Sequence, residues 1–68
     1  MTIARRLHIL LPVYNEGANI AKTLAEIEGK ITTPHDIFII YDFDEDDTLP
    51  VVRSIMKDRE NISLLKNR

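Results

Sequence analysis

The chain has 68 residues, with nine Lys and Arg against eleven Asp and Glu, a net charge of −2, and no cysteine. That length holds one small domain, which buries only roughly 60% of its unfolded surface, and the missing thiols exclude a disulfide framework and any thiolate metal site. The charge balance excludes the basic footprint of a nucleic-acid binder, and no apolar run approaches the ~18 residues of a membrane span. Two histidines argue against a nitrogen-rich zinc site, while oxygen ligands stay open. Arg5, Arg6 and the stretch from Leu7 to Val13 carry a faint trace of a secretion signal, interrupted by His8, Pro12 and the polar Asn15-Glu16.

The first element is the run Leu7-His8-Ile9-Leu10-Leu11, closed by Pro12. A continuous apolar run of this length predicts a strand buried on both faces, and proline, which cannot donate to a ladder, ends it. The turn Tyr14-Asn15-Glu16-Gly17 follows, with Asn15 as a candidate N-cap. From Ala18 the period becomes helical, with Ile20, Leu24 and Ile27 on one stripe and Gly29 as the stop. Ile31 to His35 reads as a loop. Asp36 to Tyr41 is β-branched and aromatic almost throughout, a second strand also expected to be buried on both faces. Asp47 or Thr48 caps a second helix with Pro50 in its first turn and Val52, Ile55 and Met56 on its apolar face. Asn61 to Leu65 is a third strand. The order predicts an α/β fold: a βαβαβ unit with a three-stranded parallel sheet, half of a doubly wound fold.

In such sheets ligands bind beyond the carboxyl ends of the strands. Two segments fall there: Pro12 to Glu16, and Asp42 to Thr48. The second holds Asp42, Asp44, Glu45, Asp46 and Asp47, whose mutual repulsion calls for a cation or a donor-rich partner. An EF-hand loop fails, because Asp47 stands where the turn glycine belongs and Arg53 where the bidentate glutamate belongs. Asp44-Glu45-Asp46-Asp47-Thr48-Leu49 also matches the D-x-D-x-T-L pattern of haloacid dehalogenase-like phosphohydrolases. In that alternative Asp44 is the nucleophile and Asp46 the general acid/base. It leaves the Pro12 to Glu16 segment unexplained.

Both segments together resemble the family 2 glycosyltransferases of the GT-A fold. Ile9-Leu10-Leu11-Pro12-Val13-Tyr14-Asn15-Glu16 is similar to their first strand and its proline-x-tyrosine-asparagine-glutamate turn. Tyr41-Asp42-Phe43-Asp44-Glu45-Asp46-Asp47-Thr48 corresponds to their Asp-Asp-Gly-Ser-x-Asp-x-Thr segment, with Tyr41 in place of the first Asp and Phe43 in place of the Gly. The about 25 residues between the segments leave room for one crossover helix. Leu64-Leu65-Lys66-Asn67-Arg68 resembles the family's third strand and the start of the following loop. Within the family the wording is most similar to the polyprenyl-phosphate sugar transferases.

The resemblance implies binding of a nucleotide-diphosphate sugar. Pro12 and Tyr14 would pack on the nucleoside, and Glu16 would accept hydrogen bonds from ribose or base. Asp42 would hold the edge of the nucleobase, and Ile40 would add a backbone contact. Each has a purely structural reading too: Pro12 ends a strand, Tyr14 is a loop aromatic, Glu16 is a first-turn acid. Asp46 and Thr48 read as structural, Asp44 and Glu45 as solvated, His8 as a core histidine, and His35 as a loop residue without a role. Asp42-Phe43-Asp44 spells the Asp-x-Asp of GT-A metal sites, but by position it belongs to the nucleobase pocket, so no metal ligand is assigned.

The expectation is therefore an incomplete domain over residues 1–68, the donor-nucleotide part of a cytoplasmic transferase, inactive alone. Mg2+ or Mn2+ is implied for the full-length enzyme, with none expected in this segment. A homodimer or domain swap is expected through an open sheet edge.

Overall fold

The computed structural model describes residues 6–68. Arg5, the first of the two arginines noted above, lies outside the described residues. Five elements alternate along the chain: β1 (Leu7–Pro12), α1 (Ile20–Lys30), β2 (His35–Tyr41), α2 (Thr48–Met56) and β3 (Ile62–Lys66). The strands form one parallel sheet in the order β1-β2-β3. Leu7 lies opposite His35 and Pro12 opposite Ile40, while Ile37 lies opposite Ile62 and Tyr41 opposite Lys66. The predicted α/β class and element order hold.

Alternation along the strands decides the core. Val13, Ile37, Ile39 and Ile62 turn to one face and are buried with Ile20 and Leu24 of α1 and Val52 of α2. Ile9, Leu11, Leu64, Ile27 and Ile55 pack around them. Each large aliphatic side chain fully buried here contributes about 1.5–3 kcal/mol. The helical stripe read from the sequence is the one used: Ile20 and Leu24 point inward, with Ile27 beside them. α1 continues one residue past Gly29, where the space a side chain would fill is open.

One expectation is corrected. The strands are not buried on both faces. Strand order follows chain order, so both crossovers step across the sheet in the same direction. Crossovers of one hand then place both helices on the same face, where α1 packs against α2. The other face carries His8, Leu10, Phe38, Ile40 and Leu65. Leu10 is 63% exposed and Leu65 46%, and Phe38 and Ile40 are half-buried. His8 is accordingly exposed, not a core residue, and meets the Phe38 ring edge-on at 5.3 Å.

His35 is also repositioned. It is the first residue of β2 and is buried. Its Nδ1 lies 2.9 Å from the Thr33 carbonyl and its Nε2 lies 3.1 Å from Glu28 Oε1. The same Glu28 oxygen accepts the Asn61 side-chain amide at 3.2 Å and pairs with the Arg59 guanidinium. Asn61 also donates to the His35 carbonyl at 3.2 Å. The hydrogen bond from Asn61, followed by those of its other partners, outweighs partial burial and holds the Glu28 carboxyl below its ordinary range. One carboxylate thus joins the end of α1 to the starts of β2 and β3, at the pole opposite the carboxyl ends of the strands. Glu28→Ala should destabilise the chain by about 2 kcal/mol, because it leaves a buried histidine nitrogen without its partner and removes the carboxylate that Asn61 and Arg59 share. Urea unfolding at neutral pH measures this, and an unchanged midpoint would show that the cluster carries no stability.

Candidate functional site

β1 and β2 are adjacent and parallel, so the loops that follow them leave the sheet side by side. Their bases are tied where the Val13 N–H donates to the Ile40 carbonyl at 2.9 Å. Beyond that point the two loops divide donors and acceptors between them. The Asn15 N–H donates to both carboxylate oxygens of Asp46 at 3.1 Å. The Glu16 N–H donates to Thr48 Oγ1 at 2.8 Å. The Gly17 N–H donates to Asp47 Oδ1 at 2.8 Å. In return Asn15 Oδ1 accepts the Asp47 N–H at 3.1 Å. Three consecutive N–H groups of the first loop are therefore taken by three consecutive residues of the second.

Local backbone geometry makes this possible. Asn15 sits at φ 47°, in the left-handed region that asparagine tolerates better than most residues. A left-handed residue beside ordinary ones aims successive N–H groups into one concavity, the arrangement that elsewhere binds anions. Here the concavity is filled from within by Asp46, Thr48 and Asp47. Gly17 is required for contact: a Cβ there would lie 2.7 Å from the Asp47 carbonyl oxygen. Asn15 is not the cap of α1, which begins at Ile20 with Asn19 before it and no side-chain cap bond. Asp47 stands at the N-cap position of α2, but its carboxylate is spent on Gly17.

Asp46 is 1% exposed and Thr48 is fully buried. Burial by itself pushes the Asp46 carboxyl up. Hydrogen bonds from Thr48, including its N–H at 2.7 Å, and from Asn15 overcome that and hold it below its ordinary value. The structural reading of Asp46 and Thr48 is correct as far as it went. Their bond across to the first loop lay beyond it.

Two of the other acids also have donors. Asp44 is exposed and pairs with Lys66 Nζ at 2.9 Å, a hydrogen bond that raises the lysine. Asp42 Oδ1 accepts the Asn67 side-chain amide at 2.9 Å. The repulsion among the five carboxylates is relieved in part by the protein's own donors. Protein donors meet four of them, and among the described residues no group of three or more His, Asp or Glu gathers as a metal site. The phosphohydrolase alternative loses its footing on the same geometry. A general acid needs a raised pKa and a reachable proton, whereas Asp46 is lowered, buried and already bonded through both oxygens.

Pro12, Tyr14, Glu16 and Asp42 are each exposed, at the end of β1, in the first loop and at the start of the second. Ile40 is half-buried near the end of β2, on the face away from the helices. The Ile40 carbonyl already serves Val13, so a ligand contact there falls to its second lone pair. Tyr14 is 69% exposed and leans on Phe43 at 5.6 Å between ring centroids. The described residues enclose no pocket; they form one open wall. Phe43, Lys66 and Asn67 were not among the residues expected here, and no local spacing marks them, because each acts through a partner on another loop.

The buried carboxylate gives a signed pH dependence. Asp46 is depressed in the fold, so its contribution is fully present above about pH 4 and is lost as pH falls through the folded value. Asp46→Asn should therefore lose less stability than the parent between about pH 5 and pH 3, while starting about 1–3 kcal/mol less stable at neutral pH. Urea midpoints across that range measure both effects, and parallel curves for the two proteins would contradict them.

Among curated proteins and among solved structures, none matches the chain. The family model for glycosyl transferase family 2 matches residues 8–68, from β1 through β3 and both loops just described. With the parallel βαβαβ order and the two zippered loops on one rim, that match over nearly its whole length places this chain in glycosyl transferase family 2.

Proposed function

We propose that this chain is the donor-nucleotide-binding part of a transferase that moves a sugar from a nucleotide-diphosphate sugar to an acceptor. The acceptor would be a polyprenyl phosphate or a glycan, the former by likeness to polyprenyl-phosphate sugar transferases such as dolichol-phosphate mannose synthase. The observation that carries the reading is the exposure of Pro12, Tyr14, Glu16 and Asp42 at the carboxyl ends of β1 and β2 in a chain of this family. Pro12 and Tyr14 offer apolar surface to a nucleoside. Glu16 offers acceptor oxygens to ribose hydroxyls. Asp42 offers a charge-assisted acceptor to a base N–H.

The loops supply no phosphate cradle of their own, because the N–H groups of Asn15, Glu16 and Gly17 are already taken. Nor do the described residues fit a divalent ion, since the carboxylates nearest the rim are bonded to Asn67 and Lys66. The part of the reaction assigned to this chain is recognition and orientation of the nucleoside, with the diphosphate and sugar projecting away from the wall.

Titration of the chain with UDP and GDP, followed by NMR shifts of loop amides, tests this. The expected result is weak binding to one of them, with shifts at Tyr14, Glu16 and Asp42, weakened about tenfold or more in Asp42→Ala. Shifts scattered over the sheet, or affinity unchanged in Asp42→Ala, would refute it.

A further inference from the structure

We propose that Asn67 is a positioning residue for nucleotide binding, holding the Asp42 carboxylate in the orientation in which one oxygen faces the ligand. This rests on the donor-nucleotide reading above. Asp42 is exposed and is the first residue beyond β2, where neither neighbouring strand nor core fixes its side chain. Left alone, such a carboxylate samples several rotamers, and ordering it would be charged against binding.

Asn67 removes that freedom. Its own N–H donates to the Tyr41 carbonyl at 2.7 Å, which carries the β2–β3 ladder one residue past Lys66 and fixes the Asn67 backbone. From that anchor its Nδ2 donates to Asp42 Oδ1 at 2.9 Å. Among the described residues Oδ2 has no hydrogen-bond partner, so it is the acceptor left for a ligand N–H. The amide is neutral and leaves the full negative charge on Asp42, which a lysine in the same place would offset. The neighbouring cation, Lys66, is held away by Asp44 at 2.9 Å. Oriented but not neutralised, Asp42 offers a charged, single-oxygen acceptor to a base that presents a ring N–H, the chemistry of uracil and guanine.

UDP and GDP binding to Asn67→Ala and Asn67→Asp, measured by NMR titration, tests this. Asn67→Ala should weaken binding about three- to tenfold with an unchanged urea midpoint. Asn67→Asp sets two carboxylates side by side and should weaken binding at least as much at pH 7.5. Its binding should recover towards pH 5, as one shared proton replaces the amide hydrogen; the parent and Asn67→Ala should show no such recovery. A merely structural asparagine would lower the urea midpoint and give no recovery, and that result overturns the proposal. A ligand-free measurement separates this failure from failure of the nucleotide reading. One of the two Asn67 side-chain amide protons should exchange slowly in the parent and fast in Asp42→Ala. Slow exchange with no binding of either nucleotide would bring down the nucleotide reading, and the role of Asn67 with it. Fast exchange in the parent would overturn the Asn67–Asp42 bond itself.

Discussion

The structure turns on one exchange of hydrogen bonds, in which the backbone N–H groups of Asn15, Glu16 and Gly17 are received by Asp46, Thr48 and Asp47. Burying the Asp46 charge is costly unless its oxygens are satisfied. Thr48 beside it and the Asn15 N–H of the first loop satisfy them together, and the first loop has its own orphan donors met. Thr48 of the second loop supplies the stronger share of the Asp46 bonds and the Asn15 N–H the rest. The first loop therefore needs the second for acceptors, while Asp46 gains one shared donor from the first. Parallel pairing of β1 with β2 brings the two to the same rim, and the left-handed Asn15 aims the donors.

The structural consequence is an edge whose two loops are tied to each other. Tyr14, Glu16 and Asp42 stand on the two cross-linked loops, and Pro12 at the end of β1 leads into the first of them. β3 adds the last two ties, Lys66 to Asp44 and Asn67 to Asp42. All three strands therefore contribute to the same rim. Polar clusters sit at both ends of the sheet, the zipper at the carboxyl ends and the Glu28 cluster at the amino ends, with the aliphatic core between them. The face away from the helices, with Leu10 and Leu65 exposed, plays no part in either.

The order of elements was legible because it is local. The Ile20, Leu24, Ile27 stripe and the β-branched run of β2 are written within a few residues of each other. The place of the two loops was legible through strand ends, because each begins where an apolar run stops. What was not legible depends on distant partners. Asp46 reads as one acid among five until a residue 31 positions away is placed beside it. His35 looks like a loop residue because its anchor, Glu28, lies on α1 and is shared with Asn61, 33 positions from Glu28. His8 and Leu10 read as buried because an apolar run does not say how many of its faces are covered. That depends on both crossovers choosing the same side, a property of strand order. Asn67 is invisible for the same reason as Asp46, since its partner is 25 positions away.

The central claim is that the two loops are joined by the first loop's own backbone donors, and amide hydrogen exchange reads those donors individually. Asn15 and Glu16 are exposed residues, whose N–H groups would ordinarily exchange as fast as in an unfolded chain. The zipper predicts that the Asn15, Glu16 and Gly17 amides are protected to the level of the β2 core, and that all three lose protection together in Asp46→Ala. Exchange of these three amides at unfolded-chain rates in the parent protein, while β2 stays protected, would contradict it.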